Sequence, residues 1–147
     1  MESTPHDKTP DAMLDRLMAA TNAHDLDALV DCFAIDYRNE TPLHPSRGFT
    51  GREQVRSNWE QIFTHVPDIN ATVVQRATVG DTVWSELEMR GTRRDRSPHL
   101  MRGVVIFTVQ SGRAARARFY LEPAQDTGEH VSEAVRRAVG SPTTPPR

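Results

Sequence analysis

The chain has 147 residues, 37% of them hydrophobic and 26% charged, which suits one domain large enough to bury a core without disulfides or metals. Its net charge of -2 gives no global field toward nucleic acid or an anionic membrane, and no apolar run approaches the ~20 residues of a membrane span. Cys32 is the only cysteine, so no intramolecular disulfide and no cysteine zinc cluster can form; it reads as a small buried helix residue.

Residues 1–9 are polar and are expected to be disordered, and the start MESTPHDKTP lacks a signal-peptide core, which makes the cytoplasm the default compartment. The only lysine, Lys8, lies in this stretch, which argues against Schiff-base chemistry. Thr9-Pro10 can open a helix, with Leu14, Leu17, Met18 and Thr21 at helical spacing. Asp25 caps a second, shorter helix whose apolar face is Leu26, Leu29, Val30 and Phe33. A short strand is predicted from Ile35 to Glu40, followed by a loop that Pro42, Pro45 and Gly48 enforce. Thr50 and Glu53 have capping-box spacing ahead of a third helix over about 51–66, striped by Val55, Trp59, Ile62, Phe63 and Val66.

From Ile69 the hydrophobic period changes from helical to two, and four strands are predicted over about 69–79, 82–94, 99–110 and 113–122. Gly80-Asp81, Asp95–Pro98 and Ser111-Gly112 are the turns; the last suits a hairpin of three loop residues with glycine at a bulge. Val131, Val135 and Val139 allow a short amphipathic helix over 129–139, and the end, GSPTTPPR, should be disordered. The domain therefore spans 10–123, with 124–147 as a tail.

This order of helix, helix, strand, helix and meander resembles that of the nuclear transport factor 2-like superfamily. NAHDLDALVDCFAIDY (22–37) is similar to the helical hairpin that opens those domains, GFTGREQVRSNW (48–59) to the start of their third helix, and RFYLEP (118–123) to the end of their last strand. The resemblance implies an α+β cone: three helices on the concave face of a strongly curved antiparallel sheet, around an apolar cavity closed at one end. It also implies a homodimer through the outer sheet face, because a second subunit commonly covers that face in the superfamily.

Strand alternation assigns side chains to the two faces. The face bearing Met101, Val105, Phe107, Ala117, Phe119 and Leu121 is apolar and is assigned to the cavity. The face bearing Arg102, Val104, Ile106, Arg116, Arg118 and Tyr120 is assigned to a dimer contact. The expected lining is Trp59, Phe63, Trp84, Met101, Val105 and Phe119, with Glu86 and Glu88 on one wall and Tyr37 and Asn39 on the short strand. A carboxylate in such a cavity loses hydration and becomes a general acid or base. Glu86 and Glu88 could equally pair across the sheet with Arg76, Arg102 or Arg118, and Tyr37 and Asn39 could equally bond the following loop. The run RGTRRDR (90–96) reads as a solvated hairpin tip rather than a nucleic-acid site.

Among catalytic branches of the superfamily, YRNETPLHPSRGFTGREQVR (37–56) resembles the limonene-epoxide-hydrolase branch, where a tyrosine and an asparagine two residues apart help hold the attacking water. Tyr37 and Asn39 match that pair, but the arginine and aspartates of the branch are replaced by Glu86, Glu88 and Phe119. The ketosteroid-isomerase branch places an aspartate immediately before a proline; here Thr41 precedes Pro42, with Glu40 beside it. The polyketide-cyclase-like branch matches the overall pattern better. No nucleophile-elbow serine, phosphate loop or metal-ligand spacing is present, so neither cofactor nor metal is expected. The expected function is acid–base chemistry on a small hydrophobic molecule, as an isomerase, cyclase or hydrolase. The alternative is a non-catalytic binder or dimeric scaffold.

Overall fold

The computed structural model describes residues 7–140. The chain runs α1 (Pro10–Ala23), α2 (Leu26–Asp31), β1 (Phe33–Glu40), a 3-10 turn (Pro45–Arg47), β2 (Phe49–Thr50), α3 (Arg52–His65), β3 (Asn70–Val79), β4 (Thr82–Thr92), β5 (Pro98–Gln110), β6 (Arg113–Pro123) and α4 (Val131–Ala138). One six-stranded sheet, in the order β2-β1-β6-β5-β4-β3, carries α1–α3 on its concave face. The sheet is antiparallel apart from β1 and β6, which run parallel.

The caps read from the sequence form at the first two helices. Thr9 Oγ1 accepts from the Ala12 amide at 3.1 Å, with Pro10 in the first turn, and Asp25 accepts from the Ala28 amide at 3.1 Å. Of residues 1–9, the structure describes 7–9. Asp7 accepts from the Thr9 amide at 2.9 Å, and Arg16 donates to the Asp7 carbonyl at 2.9 Å, so residues 7–9 belong to the folded unit. The remainder of that stretch, like residues 141–147, lies outside the described residues. The Thr50–Glu53 capping box does not form. Thr50 is held in β2 opposite Arg38, and Gly51, at φ 101, caps α3 while its amide donates to the Tyr37 carbonyl at 2.6 Å. That bond ties the start of α3 to the strand that carries Tyr37.

Met13, Leu14 and Leu17 of α1, Leu29 and Val30 of α2, and Val55 of α3 pack onto Val83, Leu87, Val105, Phe107 and Ala117 of the sheet. Each large apolar side chain so buried contributes roughly 1.5–3 kcal/mol against chain entropy. Cys32 is buried at the end of α2, where desolvation pushes its thiol up to about 11.

Ser111 and Gly112, both at positive φ, form a two-residue turn between the paired Gln110 and Arg113, and the extra residue is a bulge at Ala115. A three-residue loop there would pair Val105 with Ala117; the observed partner of Val105 is Phe119. An offset of two residues preserves parity, so the inward face of β5 and β6 is the one expected.

Candidate functional site

Between α3, β1 and the far ends of β4–β6 the cone does not close on itself. It leaves a cavity of about 320 Å³, walled by Phe33, Phe49, Val55, Trp59, Ile62, Ile69, Met89, Met101, Phe119 and Leu121. The wall is aromatic on one side: Tyr37 sits edge-on to Phe33, ring centroids 4.8 Å apart, and Trp59 packs beside Phe63 at 5.5 Å. Of the expected lining residues, Trp59, Met101 and Phe119 are in place. Phe63 and Val105 point inward but are used up in packing: Phe63 stacks on His24, and Val105 is wholly buried under the helices.

Trp84, Glu86 and Glu88 require a correction. They stand on the outer face, because their neighbours Val83, Ser85, Leu87 and Met89 are the buried set on β4. The register leaves no choice: Met89 pairs with Met101 and Ser85 with Val105, so an inward Met101 forces Glu88 outward. Trp84 is 49% exposed. Glu86 accepts from Gln75 Nε2 at 2.7 Å, and Glu88 accepts from Arg102 Nε at 2.7 Å and Arg90 Nε at 2.8 Å. The cross-sheet pairing alternative therefore holds for Glu88, and neither glutamate is a cavity acid or base.

Hydrogen bonds from Arg102 and Arg90 hold the Glu88 carboxyl below its ordinary value. A carboxylate depressed in this way stabilises the fold above the unfolded value of about 4.3, and that contribution fades as pH falls through the lower folded value. Glu88→Gln should therefore unfold at lower denaturant than the parent at pH 7. The two proteins should converge at strongly acid pH, which paired urea titrations would check.

Tyr37 and Asn39 alternate inward on β1 and do meet in the cavity wall, where Tyr37 Oη donates to Asn39 Oδ1 at 2.7 Å. Both are buried, and burial pushes the Tyr37 phenol far above its ordinary value, so it stays protonated as the donor. That bond settles the Asn39 amide with its oxygen toward Tyr37. Among the described residues Nδ2 makes only a long contact of 3.4 Å to Thr41 Oγ1, so the amide has a proton to offer the cavity.

The rim is polar and was not read from the sequence. Glu122 accepts from His44 Nε2 at 3.3 Å, joining the loop after β1 to the end of β6. Arg47, Asn58 and His99 complete it from the 3-10 turn, α3 and β5. Burial and then the nearby Arg93 charge push the His99 imidazole below its ordinary value. Among the described residues no three His, Cys, Asp or Glu side chains converge as metal ligands, and no helix is long and apolar enough to cross a membrane.

A family model for the SnoaL-like domain matches residues 14–117. The chain belongs to this SnoaL-like family. Solved structures agree on the fold. IdmH of Streptomyces antibioticus, a proposed polyketide cyclase, is 24% identical with a TM-score of 0.66, over 76% of this chain and 91% of its own. A hypothetical protein of Catenulispora acidiphila DSM 44928 with a ketosteroid isomerase-like fold, in complex with trimethylamine, is 17% identical with a TM-score of 0.64, over 91% and 99%. A proposed SnoaL-like polyketide cyclase of Shewanella denitrificans OS-217 is 11% identical with a TM-score of 0.64, over 76% and 89%. No curated protein matches the sequence. The SnoaL-like domain thus places this chain among proteins of the nuclear transport factor 2-like fold.

Proposed function

We propose that this SnoaL-like domain binds a small, largely apolar molecule in the cone cavity, with one acceptor oxygen of the ligand against the Asn39 amide. The observation that carries the reading is the buried Tyr37–Asn39 pair in an otherwise apolar wall. A buried amide proton without a strong partner costs free energy, and a ketone or ester oxygen recovers it. Roughly 200 Å² of apolar ligand surface at ~25 cal/mol/Å² gives about 5 kcal/mol before association costs, so a minimal ligand should bind no tighter than a Kd of about 0.2 mM, and in the millimolar range once those costs are met in part by the Asn39 bond. Benzylacetone, a small aromatic ketone, is a suitable probe. Calorimetry should show it binding the parent, with Asn39→Leu weakening it at least about fivefold relative to butylbenzene, which lacks the oxygen. An unchanged ratio would remove Asn39 from the site.

The outer face supports a homodimer. Trp84, Val104, Ile106 and Tyr120 form an apolar centre, bordered by the ion pairs Glu88–Arg102 at 2.7 Å and Glu40–Arg118 at 2.9 Å. An apolar centre with a charged rim is the pattern of a protein interface. Sedimentation equilibrium at micromolar concentration should give twice the chain mass, and a clean monomer would exclude the dimer.

A further inference from the structure

The rim of the cavity carries a charge that an apolar ligand leaves unused. Arg47 lines the mouth, and among the described residues its guanidinium has neither a hydrogen-bond nor an ion-pair partner. The other arginine nearest it in sequence, Arg52, is by contrast bonded to the Phe33 carbonyl at 3.2 Å. Two more groups at the mouth are set as donors. Asn58 Oδ1 is occupied by Gln54 Nε2 at 2.9 Å, which turns its Nδ2 to the other side. Nδ1 of His99 faces Arg93 Nη2 at 3.5 Å, which favours the tautomer with the proton on Nε2. Among the described residues lining the mouth the one carboxylate is Glu122, whose Oε1 accepts from His44. The mouth therefore offers one cation and two neutral donors, and its one carboxylate, opposite the outward-facing Arg102 on the ladder, is turned toward His44.

We infer that the ligand is amphiphilic, with an apolar body in the cone and a carboxylate at the mouth, received by Arg47 with Asn58 and His99. This rests on the cavity being the ligand site and adds the class of molecule it takes. Arginine matches a carboxylate through paired N–H donors, and at a mouth that is partly wet the gain is moderate and falls with salt.

The test uses phenylbutanoate and its methyl ester, which share the apolar body and differ in charge. Calorimetry on the full chain at low salt should give the acid about tenfold tighter binding than the ester, a preference that shrinks as salt is added. Arg47→Gln should bring the two affinities to about the same value. Arg56→Gln, which removes a cation paired with Asp27 at 2.9 Å away from the cavity, should leave the preference intact. Equal affinities in the parent, or a preference that survives Arg47→Gln, would overturn the carboxylate assignment while leaving the cavity as the site. If neither compound binds at millimolar concentration, the cavity reading falls and this inference with it.

Discussion

Gly103→Ala should be the most damaging small substitution in the sheet, lowering stability by at least about 3 kcal/mol and the melting temperature by roughly 10 °C or more. Gly103 has φ +153, and a Cβ there would stand 2.0 Å from the Tyr120 carbonyl oxygen and 2.9 Å from the Leu121 Cα. Those atoms are backbone of β6, directly across the ladder from Gly103, and cannot step aside without breaking the pairing that curves the sheet over the helices. Gly80→Ala separates the two sources of cost. Gly80 also has positive φ, +60, but nothing lies within 4 Å of an added Cβ, so it should lose only the conformational share, about 1 kcal/mol. Similar losses at both positions in thermal unfolding would show that the close approach at Gly103 is not a real constraint.

The second large effect is on binding. Met101 lies half-buried in the cavity wall, next to Met89 and across from Trp59-bearing α3. Met101→Trp should push an indole into the cavity of about 320 Å³ and weaken benzylacetone at least about tenfold. Because the side chain enters open space, the fold should lose less than the ~1–3 kcal/mol usual for overpacking a filled core. Calorimetry beside a denaturant melt distinguishes the outcomes: binding lost with the melt nearly unchanged supports the site, and undiminished binding places the ligand elsewhere.

The helices and meander were legible because their signals are local. Leu14, Leu17 and Thr21 mark one side of α1, Thr9 and Asp25 have the chemistry of caps, and Ser111-Gly112 marks a tight turn. The parallel pairing of β1 with β6 had no such signal, since Asn39 and Ala117 are neighbours only through the whole chain's course. The face of β4 was misread although the sequence contained the correction. Once Met101 is inward, the antiparallel register brings Met89 beside it and turns Glu86 and Glu88 to the arginines outside. Tyr37 and Asn39 could be read because two residues on one strand share a face. Arg47, Asn58, His99 and Glu122 could not, because four separate elements bring them to one rim, and each alone resembles an ordinary surface residue.

The two tryptophans give the most direct measurement, since Trp59 lines the cavity and Trp84 stands on the outer face. Titrating benzylacetone into Trp84→Phe protein isolates Trp59 emission, and Trp59→Phe protein isolates Trp84. A saturable change in Trp59 emission, with Trp84 unmoved, is the result that a ligand held inside the cone requires. A saturable change in Trp84 alone would contradict it and move the site to the outer sheet.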